Sequence, residues 1–224
     1  MIDLHTHTIF SDGELIPSEL VRRAESIGYR ALAITDHVDY SNYRFVLERL
    51  YETVDILNEN TSLTVIPGVE ITHVPPVKIP ELIQKCREAG AKLVVVHGET
   101  VVEPVAPGTN RAAVEGKADI PAHPGLITKE EVELAVENDI YLEITARKGH
   151  NITNGHVVKL AKEIGARLVI NTDAHSPGDL IPRSFAIKVG VGAGLTIGEV
   201  EECFINSEKL VERFKVDAFK ERKG

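Results

Sequence analysis

Short apolar runs alternate with amphipathic stretches along most of the chain. The runs cover residues 1–5, 31–37, 63–72, 92–97, 118–123, 140–145 and 167–175. Helical patterns lie between them at residues 16–28, 43–60, 79–90, 110–117, 128–139 and 154–165. Three of these patterns end in glycine, at Gly28, Gly90 and Gly165, which is typical of a helix C-terminus. Apolar runs with little polar alternation predict parallel strands that are covered on both faces.

Polar side chains at the ends of these runs favour a closed barrel over an open sheet. They belong to six of the seven runs and are His5, His7, His37, Glu70, His97, His123, Asp173 and His175. A barrel gathers the C-terminal ends of all its strands around one mouth, whereas an open sheet gathers them near a switch point. We therefore predict an α/β fold, a TIM-like barrel that is short by one unit.

The length and the hydrophobic content suggest a single domain over residues 1–224. The pattern after residue 195 predicts one or two closing helices at about 196–220 and a basic tail over residues 220–224. No apolar run reaches about 18 residues, and the start lacks the features of a signal peptide, so we expect a cytoplasmic protein that does not enter a membrane. Cys86 and Cys203 are expected to be reduced thiols.

The charge balance bears on the class of partner. The formal net charge is -9, the positive residues are scattered, and aromatic residues make up 5% of the chain with no Trp. Duplex nucleic acid is bound largely by neutralising phosphates, and single strands by aromatic stacking, so both are disfavoured as partners. A small anionic substrate is compatible with the composition, because bound cations reverse the local charge.

Two pairs of potential metal ligands have the same spacing. His5 and His7 are separated by one residue, as are Asp173 and His175, and side chains at this spacing share one face of a strand. The first and last strands of a barrel are neighbours, so these four side chains are expected to converge. Imidazole and carboxylate together suit zinc, manganese or iron, and the number of such residues indicates more than one ion.

The order of these motifs resembles the PHP family of metal-dependent phosphoesterases, which includes histidinol phosphatases and a domain of bacterial DNA polymerases. The motifs are HTH, SDG, TDH, GVE, VVHGE, AHPG and TDAH, and the resemblance runs from residue 3 to about 177. It implies a distorted seven-stranded (β/α)7 TIM-like barrel. It also implies nine metal ligands: His5, His7, Asp12, His37, Glu70, His97, His123, Asp173 and His175.

The resemblance further implies a trinuclear site. By similarity, the first ion is held by His5, His7, Glu70 and Asp173. Glu70 bridges to a second ion, which His97 and His123 hold. Asp12, His37 and His175 hold the third. The activity implied is hydrolysis of a small phosphomonoester by a metal-activated hydroxide. Histidinol phosphate, and with it a place in histidine biosynthesis, is one such substrate.

Residues outside the ligand set are expected to complete the site. Arg147 resembles a phosphate-binding arginine of histidinol phosphatases, and Arg183 follows the last ligand pair. His150 lies in the loop after the sixth run, at the predicted mouth, where it could contact substrate. Asp36 is expected to orient a ligand imidazole, and Gly13 to permit the turn that brings Asp12 to the mouth. The loop at 100–116 could form a wall or lid over the substrate.

Three other interpretations stay open. The first is a phosphodiesterase or exonuclease, or a phosphatase of nucleoside bisphosphates, since PHP relatives include such activities. The second is a non-catalytic PHP platform for a partner protein, although no ligand position is missing. The third is an amidohydrolase barrel, which also begins with His-x-His but typically uses a bridging lysine where Glu70 stands here. The oligomeric state is not readable from the sequence.

Overall fold

Strands and helices alternate along the chain as the hydrophobic pattern predicts. A computed structural model describes the backbone of residues 1–221 and the side chains of residues 1–214. Its strands are β1 (Ile2–Asp3), β2 (Ala31–Ile34), β3 (His37–Val38), β4 (Thr64–Ile71), β5 (Leu93–His97), β6 (Ile120–Ala122), β7 (Tyr141–Thr145) and β8 (Arg167–Asn171). Its helices are α1 (Pro17–Ser26), α2 (Tyr43–Asn60), α3 (Ile79–Glu88), α4 (Thr109–Glu115), α5 (Lys129–Glu137), α6 (Asn154–Ile164), α7 (Arg183–Gly192) and α8 (Ile197–Glu221).

The strands form a curled parallel sheet in two parts. One part has the order β1-β2-β4-β5-β6, with β3 also paired to β4, and the other is β7-β8. Thr6 and Ala174 form a parallel bridge beyond the ends of β1 and β8. Between β6 and β7, which are the other two edge strands, the Tyr141 N–H donates to the Asp119 carbonyl at 3.2 Å. The arrangement is consistent with a distorted TIM-like barrel.

The number of strands differs from the prediction of seven. Each predicted run contains a strand, but the second run is divided into β2 and β3, so eight strands lie within residues 1–221. The β2 ladder ends where Ile34 pairs with Pro67, and β3 resumes pairing at His37 opposite Glu70.

Buried apolar side chains form two clusters, one inside the barrel and one between the strands and the outer helices. The inner cluster draws on every strand except β3 and comprises Ile2, Leu4, Ala31, Ala33, Ile66, Leu93, Val95, Ile120, Ala122, Tyr141, Val169, Leu210, Val211 and Phe214. The last three belong to α8, whose side chains therefore cover one end of the barrel interior. A second cluster fills the space between the strands and the outer helices. The closing segment is thus one long helix, while the side chains of the predicted basic tail at 220–224 lie outside the described residues.

Side chains join β1 to β8 where the backbone ladder is short. Asp3 accepts hydrogen bonds from Thr172 N at 3.1 Å and Thr172 Oγ1 at 2.6 Å. Asn171 Oδ1 accepts from Leu4 N at 3.0 Å. Burial raises the pKa of Asp3 to about 6 despite these bonds. The seam places the residues after β1 beside those after β8, as the predicted convergence of the two ligand pairs requires.

Two predictions about the chain as a whole concern membranes and cysteines. None of the helices in the described part of the chain is both long and apolar enough to span a bilayer. Cys86 and Cys203 are both buried free thiols, as predicted. Burial raises the pKa of each thiol to about 12.

Candidate metal centre

The nine predicted ligands lie at one end of the barrel. His5, His7 and Asp12 follow β1, while Asp173 and His175 follow β8. His37 is on β3, Glu70 on β4, His97 ends β5 and His123 follows β6. His5, His7, Glu70, His97, His123 and Asp173 are buried. Asp12 is the most exposed of the set, with 58% of its side chain accessible.

Four overlapping groups of side chains within the described residues could each hold an ion, because their ligand atoms lie within 4.8 Å of one another. The groups are His5–His7–Glu70, His5–His123–Asp173, Glu70–His97–His123 and His7–Asp12–His37–His175. Glu70 belongs to two of them, as expected of a bridging carboxylate. The structure adds two connections that the resemblance did not imply. His123 shares a group with Asp173, and His7 shares one with Asp12, His37 and His175, here called the outer group.

Unpaired polar atoms indicate that these groups fit a metal. Eight buried side-chain nitrogen or oxygen atoms among the described residues have no hydrogen-bond partner of suitable geometry. Six of them belong to the ligand set: His5 Nε2, His7 Nδ1 and Nε2, Glu70 Oε1 and Oε2, and His123 Nδ1. An unpaired buried polar group costs about 1–3 kcal/mol. Six such atoms in one place therefore indicate that the cluster is suited to binding a cation. Imidazole nitrogens with carboxylate oxygens are the donors that zinc, manganese and iron accept.

Two of the predicted ligands have strained backbone conformations. His123 and Asp173 have positive φ angles of 29° and 53°, as does His73 at 53° beside the same cavity. The left-handed region costs a non-glycine residue about 1–3 kcal/mol and is found most often at functional sites. At His123 the conformation is stabilised by Glu143 Oε2, which accepts from the His123 N–H at 3.0 Å.

Glu143 is a site residue that the sequence interpretation missed. It lies in the middle of β7, fully buried, and its Oε1 is 2.9 Å from His5 Nδ1. Asn171 Nδ2 donates to the same oxygen at 2.8 Å. The only signal in the sequence was a charged residue inside the otherwise apolar run at 140–145. A carboxylate on the far nitrogen of a ligand histidine selects its tautomer and orients its ring.

Asp36 has a role different from the one predicted. Its carboxylate forms no hydrogen bond with an imidazole of the described residues. It accepts hydrogen bonds from Thr8 N at 2.7 Å, Thr8 Oγ1 at 2.7 Å and Ser11 Oγ at 2.8 Å. Asp36 therefore holds the loop that carries Asp12. His37 is instead oriented by Thr72, whose Oγ1 lies 2.7 Å from His37 Nδ1.

Gly13 is needed for close packing, and the turn itself does not require a positive φ there. A Cβ at this position would lie 2.6 Å from the carbonyl carbon of His7. Glycine thus allows the loop to return across the backbone of the His-x-His segment.

The electrostatics of the centre divide the histidines into two kinds. Burial, together with the neighbouring imidazoles, lowers the pKa of His7 and His123 well below the usual value, which favours the neutral form that binds metal. Burial also acts to lower the pKa of His5, but Glu143, Glu70 and Asp173 outweigh it and hold that pKa well above normal. For Asp173, burial and the charge of Glu70 raise the pKa to about 7.

A cavity of about 230 Å³ opens over the centre. Its walls are formed by Asp12, Thr72, His73, His37, His97, Glu103, Arg147, His150, Asp173 and His175. The structure thus brings Arg147 and His150 to the ligands, as the sequence predicted. Arg147 Nη1 lies 3.3 Å from Asp179 Oδ2. His150 is buried, and its ring centroid is 4.3 Å from that of His123.

Arg183 does not line this cavity. It begins α7, forms an ion pair with Glu201 of α8 and lies over the Phe204 ring at 4.5 Å. The helix that follows the last ligand pair carries Arg183 toward α8, a direction that sequence proximity could not reveal.

Glu103 lines the cavity and was also missed. Its carboxylate lies 3.1 Å from His97 Nε2 and 3.4 Å from His150 Nε2. The hydrogen bond from His97 lowers the pKa of Glu103 to about 2. Glutamate in an exposed loop is common, and only the path of the loop distinguishes this one.

A buried centre of imidazoles and carboxylates at the mouth of a parallel barrel defines a candidate metal-dependent enzyme. The family model of the PHP domain matches residues 3–139, which is more than half of the chain. The chain therefore belongs to the PHP domain family, as the order of its motifs predicted.

Similar proteins extend over nearly the whole chain. An uncharacterised protein of Methanocaldococcus jannaschii is 54% identical over 209 residues, covering 92% of this chain and 96% of its own length. A chain in the cryo-EM structure of archaeal ribonuclease P with mature tRNA superposes with a TM-score of 0.73 at 18% identity, covering 96% of this chain and 92% of that one. Histidinol phosphate phosphatase from Lactococcus lactis, in complex with zinc, L-histidinol and phosphate, gives a TM-score of 0.57 at 15% identity, covering 87% and 94%. At these identities, the two structural likenesses concern the fold.

Proposed function

We propose that the protein hydrolyses a small phosphomonoester at a centre of three divalent metal ions. The observation that carries this proposal is the cluster of nine ligand side chains, in which six buried nitrogen and oxygen atoms have no hydrogen-bond partner. Membership of the PHP domain family supports it independently.

The ligand groups suggest how the ions are shared. His5, His7, Glu70 and Asp173 would hold the first ion. Glu70 would also contact the second ion, together with His97 and His123, and the outer group of Asp12, His37 and His175 would hold the third. Zinc, manganese and iron all suit this donor set.

The protein's own residues would position the phosphoryl group. When bound, divalent ions supply an activated water and positive charge that offsets the phosphoryl charge. Arg147 presents a planar guanidinium to the cavity, suited to paired phosphoryl oxygens, and Asp179 orients it. His150 also lines the cavity and would contact the leaving group.

The size of the cavity supports a small substrate. A cavity of about 230 Å³ has room for a small phosphorylated metabolite, and the net charge of -9 disfavours a polyanion. Histidinol phosphate is the first compound to test, because a structural neighbour was determined with L-histidinol and phosphate.

The test is hydrolysis in the presence of manganese or zinc, measured as release of inorganic phosphate from the monoesters and of the phenol from the diester. The panel contains histidinol phosphate, a nucleoside 3',5'-bisphosphate, sugar phosphates and a bis-aryl phosphodiester. Asp173→Asn removes a buried ligand, and Asp55→Asn on the exposed face of α2 is the matched control. Turnover of a monoester that is lost in Asp173→Asn and kept in Asp55→Asn is the expected result.

The other outcomes identify the alternatives. Turnover of the diester alone would replace the proposal with a phosphodiesterase or nuclease. Turnover of the bisphosphate alone would direct the assignment to nucleotide phosphatases. Metal binding without any turnover would favour a non-catalytic platform.

A further inference from the structure

The segment from Glu99 to Gly108, here called the 99–108 loop, is fixed at its base by side-chain hydrogen bonds. Glu99 Oε1 accepts hydrogen bonds from Gly108 N at 2.9 Å and Asn110 N at 3.0 Å. Asn110 closes the same base, accepting from Glu99 N at 3.0 Å and donating to Pro124 O at 2.8 Å. Glu99 is therefore a structural clamp, and the tip extends over the mouth of the barrel.

Glu103 at the tip points into a ring of three imidazoles. Its Oε2 lies 3.1 Å from His97 Nε2 and 3.6 Å from His73 Nε2, while its Oε1 lies 3.4 Å from His150 Nε2. The side chain is 37% exposed, so it occupies the boundary between the buried ligands and the open cavity. Glu103 therefore lines the cavity beside the predicted ligands that a substrate would approach.

The contact with His97 has a consequence for the metal-loaded protein. The other nitrogen of this ring, Nδ1, lies 3.2 Å from the Gly98 carbonyl, which leaves Nε2 as the metal-binding atom. Nε2 cannot bind an ion and donate a proton to Glu103 at the same time. Two donors on one ion, each about 2.0–2.2 Å from it, are roughly 3 Å apart. The separation of 3.1 Å between Glu103 Oε2 and His97 Nε2 suits a hydrogen bond in the metal-free protein and is also short enough for two ligands of one ion.

We propose that Glu103 is a tenth metal ligand, carried by the 99–108 loop, which binds the ion on His97 until a phosphate group displaces it. The inference rests on the metal centre of the proposed function. His150 and His73 also contact the carboxylate, at 3.4 and 3.6 Å, and the hydrogen bonds of Glu99 limit how far the tip can move. A phosphoryl oxygen reaching the same ion from the cavity must take the position of the Glu103 oxygen.

The test uses Mn²⁺ binding, which does not depend on turnover. Mn²⁺ affinities of the wild type, Glu103→Gln and the exposed control Glu48→Gln are measured by equilibrium dialysis with electron paramagnetic resonance of the free ion. We expect Glu103→Gln to weaken one Mn²⁺ site by on the order of 10-fold and to bind inorganic phosphate more tightly when loaded with Mn²⁺. Glu103→Asp, which keeps a carboxylate on a shorter stem, should recover part of the Mn²⁺ affinity, and circular dichroism verifies that each variant is folded.

The outcomes separate this inference from the function on which it rests. A wild type that binds no divalent ion would overturn both. Equal Mn²⁺ affinities in wild type and Glu103→Gln would overturn the tenth ligand alone. Tighter phosphate binding with unchanged Mn²⁺ affinity would also overturn it, and would make Glu103 a neighbouring anion that competes with phosphate by charge.

Discussion

His5 Nδ1 and Glu143 Oε1 are 2.9 Å apart, and both side chains are fully buried. This contact turns His5 Nε2 toward Glu70 Oε1 at 3.3 Å and Asp173 Oδ1 at 3.6 Å. A carboxylate that receives the far N–H of a ligand imidazole fixes its tautomer and increases its basicity. Glu143, on β7, thus connects His5 in the segment after β1 to the backbone of His123 in the segment after β6.

Replacing Glu143 with Gln tests this arrangement. The amide keeps the size of the side chain but removes its charge, so we expect metal affinity to fall by about 10–100-fold. Isothermal titration with Zn²⁺ measures the change, and Glu133→Gln on α5 serves as a control. An affinity equal to that of the wild type would mean that Glu143 only fills space in the core.

Replacing Glu70 with Gln should affect two ions at once. Glu70 is shared by the His5–His7 group and the His97–His123 group, and both of its oxygens lack hydrogen-bond partners. We expect the metal content, measured by plasma mass spectrometry after dialysis, to decrease at two positions. Loss of a single equivalent, or full content with full activity, would contradict the bridging assignment.

Arg147 and Arg183 form a matched pair for testing phosphate recognition. Arg147 lines the cavity, whereas Arg183 pairs with Glu201 on the surface. A hydrogen bond to a charged group contributes about 1.5–3 kcal/mol, so Arg147→Ala should raise KM for the active ester roughly 10-fold or more. Arg183→Ala should leave KM unchanged. Steady-state kinetics measure KM for each variant. Loss of metal from Arg147→Ala would mean that Arg147 stabilises the metal centre instead of binding phosphate.

Metal binding should depend on pH because protons compete for the ligands. Burial acts to lower the pKa of His37, but Glu70 and Asp12 outweigh it and raise that pKa to about 9. The metal-free imidazole is therefore protonated at pH 7, and an ion must displace that proton. We expect affinity to rise as the pH increases from about 6 to 9. Titration calorimetry in buffers of different ionisation enthalpy should detect proton release at pH 7, and uptake or no exchange would contradict this pKa.

Leu210 tests whether α8 closes the barrel. It is 1% exposed and belongs to the inner cluster with Val211 and Phe214. Leu210→Ala removes buried methyl groups and should lower the free energy of unfolding by about 2–5 kcal/mol. Urea denaturation of the metal-free protein measures this loss. Metal stoichiometry should not change, because the ligands lie at the other end; a neutral effect on unfolding would place Leu210 outside the core.

The helix α7 shows how tertiary packing overrides local propensity. Its segment, residues 183–192, contains Gly190 and Gly192 and was not predicted to be helical. A Cβ at position 190 would lie 2.6 Å from Val200 Cγ2, so glycine allows α7 to pack closely on α8. The free energy of this packing, which the local sequence does not report, stabilises the helix.

The sequence by itself determined the parallel strand and helix pattern and the set of candidate ligands. Pairs such as His5–His7 could be recognised because side chains two residues apart share a face in any strand. The tertiary structure alone decided the roles of Glu143, Glu103, Asp36 and Arg183. Each of these depends on which distant segment lies opposite, and that is set by barrel closure and loop packing rather than by the spacing of residues along the chain.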